Sequence, residues 1–219
     1  MKLAHSYSSI KLFENCPLRY YRQRIVKDVQ DQGSQASIYG ERIHEALELR
    51  LRDKKPLPSE AKQYEPLCVS IERNLNQNTI YLEKELTLNE NLEPTGWWDA
   101  DAWLRSKLDV LIDKGNKAVV FDWKTGKKRA DQFQMEIFAA QVFKHYPDVQ
   151  EVLTSLIWLK DGSSTTQFFS RTHVNELWSE IISRIRRIHA AAEADIWPAR
   201  PSGLCPYCPA RHDCQYARL

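Results

Sequence analysis

The sequence has no long hydrophobic run. Nowhere do about 18 apolar residues follow one another, so no stretch reads as a membrane-spanning helix. Residues 1–17 lack the apolar stretch of a signal peptide, which points to a cytoplasmic setting where thiols stay reduced. Glycine and proline, at 7 and 10 residues of 219, are too few for a fibrous chain. Five cysteines are sparse and odd in number, which excludes a disulfide-stapled miniprotein. No charge of one sign dominates: 31 basic against 29 acidic residues leave +2, which neither requires nor excludes nucleic acid. No repeat or low-complexity tract is visible. What is present is core material, with 42% hydrophobic and 11% aromatic residues, so disorder is excluded. The length suits one compact domain, 1–219, with a small appendage.

The apolar periods change along the chain. Residues 6–27 read as a helix capped by Ser6 or Ser8 and interrupted at Pro17. Residues 35–53 read as a second helix, with Ile43, Leu47 and Leu51 on one face. Two prolines make 54–60 a loop, and 61–76 can be helical. Residues 79–88 and 105–113 then alternate as strands do, the second with Leu108, Val110 and Ile112 on one face. Lys114-Gly115-Asn116 is a turn into the strand 117–124, so the pair reads as a β-hairpin. A helix over 131–145 begun by Asp131, strands at 151–160 and 165–171, and an amphipathic helix over 173–194 complete a mixed α/β pattern.

The hairpin carries the sharpest chemical signal. Asp122 and Lys124 share one side of their strand, since residues i and i+2 do. A three-residue turn can bring Asp109 beside Asp122. Two carboxylates held together at an apolar sheet are costly unless a positive group lies between them, and a hard divalent cation is one such group. A solvent-facing Asp/Lys ion pair is the plainer alternative. His44 lies beside the apolar stripe of its helix, where it is either a further ligand that favours Mn²⁺ or a structural histidine.

Cys205, Cys208 and Cys214 lie within ten residues, and Cys16 is the natural fourth. Four thiolates can hold Zn²⁺ or an iron–sulfur cluster, and would join the two chain ends. Cys68 is left over as a buried or free thiol.

Six motifs in order resemble the PD-(D/E)XK nuclease superfamily, and more narrowly its RecB-like branch with an iron–sulfur staple. They are Ser8-Ser9 with Asn15-Cys16-Pro17 and Arg19-Tyr20-Tyr21; Gly40 to Glu48 around His44; Asp109; Asp122-Trp123-Lys124; Gln134 to Ala139, with Phe138 where a Tyr is usual; and the three tail cysteines. The resemblance covers nearly the whole chain. It implies a restriction-endonuclease-like α/β core, a central mixed sheet flanked by helices. Its N- and C-terminal segments, 1–30 and 197–219, would form a cap joined by a four-cysteine cluster. It implies that His44, Asp109, Asp122 and the Trp123 carbonyl hold Mg²⁺ or Mn²⁺, that Lys124 assists the attacking water, and that Gln134 positions DNA or the site's backbone. It implies a structural 4Fe-4S cluster on Cys16, Cys205, Cys208 and Cys214, with Zn²⁺ as the alternative.

Charge is distributed unevenly. Residues 1–30 and 105–131 each carry +4 and 184–219 carry +3, while 72–103 carry −5. The basic segments suit a phosphate backbone. Lys127, Lys128 and Arg129 are either a phosphate contact or a solvated loop, and Arg19 and Tyr20 are further candidates. Trp97, Trp98 and Trp103 can stack bases, with packing in a core or lid as the plainer role. The expected activity is metal-dependent cleavage of single-stranded or free-ended DNA in recombination, repair or CRISPR adaptation, with proteins of those processes as partners. A non-catalytic DNA-binding or assembly subunit and a zinc-stabilised scaffold are the alternatives.

Overall fold

The computed structural model describes residues 3–73, 78–128 and 132–217. These divide into two compact units. The first comprises Met1–Ala4 and Ser34–Trp178, and the second His5–Gly33 and Ser179–Leu219.

The first unit is built on a five-stranded mixed sheet with strands in chain order. They are β1 (Thr79–Leu88), β2 (Leu104–Asp113), β3 (Lys117–Lys124), β4 (Glu151–Trp158) and β5 (Ser163–Ser170). All neighbours are antiparallel except β3 and β4, which are parallel and joined through helix α5 (Phe133–His145). Parallel neighbours need such a crossover. The β2–β3 turn is the expected one: Gly115 takes φ +78° and its N–H donates to Asp113.

Helix α3 (Gln35–Asp53) covers one sheet face. Ser34 and Ser37 form a capping box at its start, satisfying two otherwise orphaned backbone donors. Its stripe Ile43, Leu47 and Leu51 packs with helix α4 (Glu65–Glu72) and with Val110, Ile112 and Trp123. Cys68 lies in this core, where burial pushes its thiol up to about 11; it is an inert packing residue. Helix α5 covers the opposite face, with Met135, Phe138, Val142 and Phe143 on Val120, Val152 and Leu156. Asp131, expected to begin that helix, lies outside the described residues; α5 starts at Phe133 after Gln132.

One expectation fails. Leu108 does not share a face with Val110 and Ile112 but packs on the α5 side. The reason is local. Glu83, which stands between the β1 residues paired with Leu108 and Val110, takes φ +50°. A left-handed residue turns the strand over, and here both β1 and β2 change faces at that point. Leu82 packs on the α3 side and Leu86 on the α5 side.

The second unit gathers both chain ends. Helix α1 (Tyr7–Asn15) has a Ser6–Ser9 capping box and stops before Pro17, whose ring cannot continue it. Helix α2 (Pro17–Tyr20) follows, then a π-helical segment, Tyr21–Val26. Helix α6 (Val174–Ala194) begins in the first unit and ends in the second. The chain beyond it returns to the N-terminal segment. Trp197 stacks on Tyr20 and Tyr21, and Phe13 meets it edge-on. Arg22 pairs with Asp213 at 2.7 Å and with Asp28 at 2.9 Å. No helix among the described residues is long and apolar enough to cross a membrane.

Leu47 is wholly buried under α3. Leu47→Ala should lower stability by about 2–5 kcal/mol through lost burial and a cavity, read from denaturant unfolding curves.

Candidate active site

The site lies where β2 and β3 part. Their ladder runs from Asp113–Ala118 to Val110–Phe121, so the next pair in register would be Asp109 with Asp122. That pair does not form. Instead Asp109 Oδ2 accepts the Trp123 backbone N–H at 2.6 Å, so a side chain replaces the strand as partner. The two carboxylates thus line the opening between diverging strands, and both are nearly buried.

Each sheet face supplies one supporting group. From α3, His44 Nδ1 lies 3.1 Å from Asp109 Oδ1. From α5, Gln134 Nε2 donates to Asp122 Oδ1 at 3.1 Å. Lys124 stands on the side of β3 that Asp122 occupies, with Nζ 2.6 Å from Asp122 Oδ2. The backbone of Trp123 lies within this group, while its ring is buried on the α3 side and stacked on Phe121. Gly40 brings α3 close to the end of β3: a Cβ there would stand 3.0 Å from Thr125 Oγ1. His44, Asp109, Asp122, Trp123, Lys124 and Gln134 therefore come together as expected from their order in the chain.

Electrostatics mark Asp122 as the stressed member. Burial pushes its carboxyl up to about 6; Lys124 opposes this and the Asp109 charge adds to it. Its Oδ2 is buried and has no hydrogen bond of good geometry, only the Lys124 ammonium at ion-pair distance. Burial alone would lower the His44 pKa, but the bond to Asp109 and the two nearby carboxylates leave it raised. Among the described residues no three His, Cys, Asp or Glu side chains are placed to share one ion as they stand. The donor set nonetheless suits a hard cation: two buried carboxylates, one of them held only by the Lys124 ammonium at its Oδ2, beside an imidazole and a strand backbone.

Three further charged residues gather here without a sequence signal. Glu83 forms an ion pair with Lys107 at 2.6 Å. Burial raises the Glu83 pKa, Lys107 opposes this, and the Asp109 and Glu48 charges raise it further. The left-handed turn that puts Glu83 there is invisible in the alternation of residues 79–88.

The proposed nucleic-acid contacts divide. Lys127 and Lys128 are exposed after β3, and Lys128 Nζ reaches Ser163 Oγ at 3.4 Å. Arg129 lies outside the described residues. Arg19 and Tyr20 belong to the second unit, where Arg19 pairs with Asp31 at 2.8 Å. Tyr20 is 1% exposed and packs against Phe13 and Trp197, so it offers no surface to a strand.

The second unit also holds the cysteines. Cys16, Cys205, Cys208 and Cys214 all line one cavity of about 350 Å³. Cys205 Sγ accepts the Ser202 N–H at 3.2 Å.

The chain belongs to the PD-(D/E)XK nuclease superfamily, whose family model matches residues 4–215. By family and site it is a nuclease. It shares its fold with a putative exonuclease from Eubacterium rectale: 16% identity, TM-score 0.60, over 96% of this chain and 88% of that one. It is also similar to the protein SSO0001, with 14% identity and TM-score 0.44 over 100% and 89% of the chains. A third similar structure is LHK-Exo in complex with dAMP, with 16% identity and TM-score 0.35 over 86% and 92%. No curated protein matches the chain.

Because the folded pKa of Asp122 lies above its free value of 3.8, the ionised carboxylate destabilises the folded chain. That cost is full above about pH 6 and fades as pH falls toward the free value. Asp122→Asn should raise the melting temperature in EDTA at pH 8 by a few degrees, the scale of about 1 kcal/mol in a chain this size. The gap between variant and wild type should close on titration to pH 4.

Proposed function

We propose that the chain is a divalent-metal-dependent deoxyribonuclease of the RecB-like branch. It acts on single-stranded or free-ended DNA in recombination, repair or CRISPR adaptation, with proteins of those processes as partners. The observation that carries this is the pair of buried carboxylates, Asp109 and Asp122, where β2 and β3 part, with Lys124 at ion-pair distance from Asp122. Asp109, Asp122, His44 and the Trp123 carbonyl are the groups that would hold Mg²⁺ or Mn²⁺. Such an ion supplies charge stabilisation on the phosphoryl oxygens and lowers the pKa of an attacking water.

The chain's own residues do the rest. Gln134 fixes the rotation of Asp122 through Oδ1, which leaves Oδ2 to Lys124. Lys124, beside Asp122, would orient the attacking water or meet charge building on phosphorus. His44 buttresses Asp109 from the α3 side. Support for DNA as substrate is the family together with the +4 charge of residues 105–131, which follow and include the acidic strands.

The cysteine cavity is proposed to hold a structural 4Fe-4S cluster on Cys16, Cys205, Cys208 and Cys214. Four cysteines lining one cavity of about 350 Å³ are the support for it, and four thiolates can hold such a cluster or Zn²⁺. The N–H donated to Cys205 Sγ is of the kind that tunes a cluster sulfur. Iron and sulfide analysis of an anaerobic preparation tests it; zinc without iron would favour the alternative.

End-labelled single-stranded DNA should be degraded only with Mg²⁺ or Mn²⁺ present. Lys124→Ala should reduce the rate by about 10²–10³-fold, as loss of one electrostatic stabiliser does. Mn²⁺ should also raise the melting temperature of the wild type and not of Asp122→Asn. Salt-dependent DNA binding with no cleavage under either metal would favour the non-catalytic subunit.

A further inference from the structure

The 89–103 connection between β1 and β2 presents one large apolar side chain to solvent, that of Trp98. It is a braced loop. Asn89 N–H donates to Glu93 O, Thr95 N–H to Thr87 O, and Trp103 N–H to Leu88 O, at 2.8–3.0 Å. Trp103 is buried beneath it. At the tip, the Asp99 carboxylate accepts the Gly96 N–H at 2.7 Å, so tightly that a Cβ on Gly96 would stand 2.7 Å from it. On this base Trp98 is 84% exposed, the most exposed of the large hydrophobic side chains.

Arg105, at the start of β2, lies against both tip tryptophans. Its guanidinium carbon is 5.5 Å from the Trp97 ring centroid and 5.7 Å from the Trp98 centroid. Its Nε is buried without a hydrogen-bond partner. Burial alternates over the first residues of β2, where Leu104, Ser106 and Leu108 are buried, Arg105 is half-buried and Lys107 is exposed, and the buried Asp109 follows. Four residues of strand separate Arg105 from Asp109, about 13 Å.

We propose that Trp98 and Arg105 form a platform for single-stranded nucleic acid, which stacks one base on Trp98 and takes a neighbouring phosphate on Arg105. A strand leaving the Asp109 end of β2 along this face reaches the platform within a few nucleotides. Stacking on an aromatic ring is tolerant of base identity because every base has a π-face, and arginine adds to it. The preset loop spares the cost of ordering the tryptophan on binding. The loop's acidic residues, Glu90, Glu93, Asp99 and Asp101, sharpen the choice. A duplex would bring a second row of phosphates against them, whereas a single strand can turn its base to Trp98 and its phosphate to Arg105. The platform rests on the nuclease reading for its direction along β2, but its binding is measurable without cleavage.

The test is fluorescence anisotropy of labelled single-stranded and duplex oligonucleotides in EDTA. Trp98→Ala should weaken single-strand binding by roughly tenfold or more, and Arg105→Gln should weaken it and flatten its salt dependence. Trp98→Phe should retain most of the affinity, and duplex binding should change less than twofold in each variant. With Mg²⁺, Trp98→Ala should raise KM on the single strand while its melting temperature stays that of the wild type. Unchanged single-strand affinity in Trp98→Ala, or equal loss for duplex, would overturn the platform. So would loss of binding to an oligolysine peptide with single-strand affinity intact, which would make the acidic loop a dock for a basic protein. If no DNA is cleaved but Trp98-dependent binding persists, the nuclease reading fails and the platform stands. If cleavage is metal-dependent and Trp98→Ala binds as wild type does, the reverse holds.

Discussion

Asp109 and Asp122 are held on neighbouring strands whose register would set them face to face, and both are nearly out of water. Like charges so placed repel, and burial magnifies the repulsion because little solvent screens it. The surrounding structure answers this in several ways. The ladder ends one pair early, and Asp109 takes a backbone N–H instead of a strand partner. Lys124 places a positive charge on Asp122. Helix α3 brings an imidazole from one face and α5 an amide from the other. Both helices must therefore pack correctly for the pair to be tolerable, and Gly40, with no Cβ to meet Thr125, lets α3 come close enough.

These answers are incomplete, and the remainder is where chemistry can occur. A fully satisfied pair of carboxylates would have no use for a cation. Here Asp122 Oδ2 stays buried with only the Lys124 ammonium against it, and the carboxyl is pushed up to about 6. Glu83 adds a second local cost, since a left-handed conformation disfavours any residue with a Cβ. Neither cost is large against two well-filled cores, each centred on one helix and a full sheet face.

Much of this was legible in residue order. Apolar period placed α3 and three of the strands to within a residue. The Asp122–Lys124 side and the Asp109–Asp122 register followed from the period of two and a three-residue turn. What period could not show was departure from period. Leu108 looks like a neighbour of Val110 and faces away from it, because the reversal originates in the backbone of Glu83. Three tryptophans near one another looked alike, yet Trp103 is core and Trp98 is open to solvent. Tyr20 looked like a strand contact beside Arg19, but the Trp197 ring that covers it lies 177 positions further on.

The second unit ties its two chain ends together through side chains. Its two ends are already tied by Arg22 to Asp213, by Arg200 to the Glu14 carbonyl and by the Trp197 stack. These contacts bring Cys16 and the tail cysteines to one cavity before any metal enters. A zinc finger works the other way, since its ligands meet only when the ion gathers them. Preformed thiols around a cavity would instead receive a cluster with little further ordering. Its loss would leave Trp197 and Arg22 in place and free chiefly the short segment from Cys205 to Cys214. Asp109, Asp122, Lys124, His44 and Gln134 all lie in the first unit, so the Cys205–Cys214 segment belongs to a different part of the molecule from the one that carries the carboxylates.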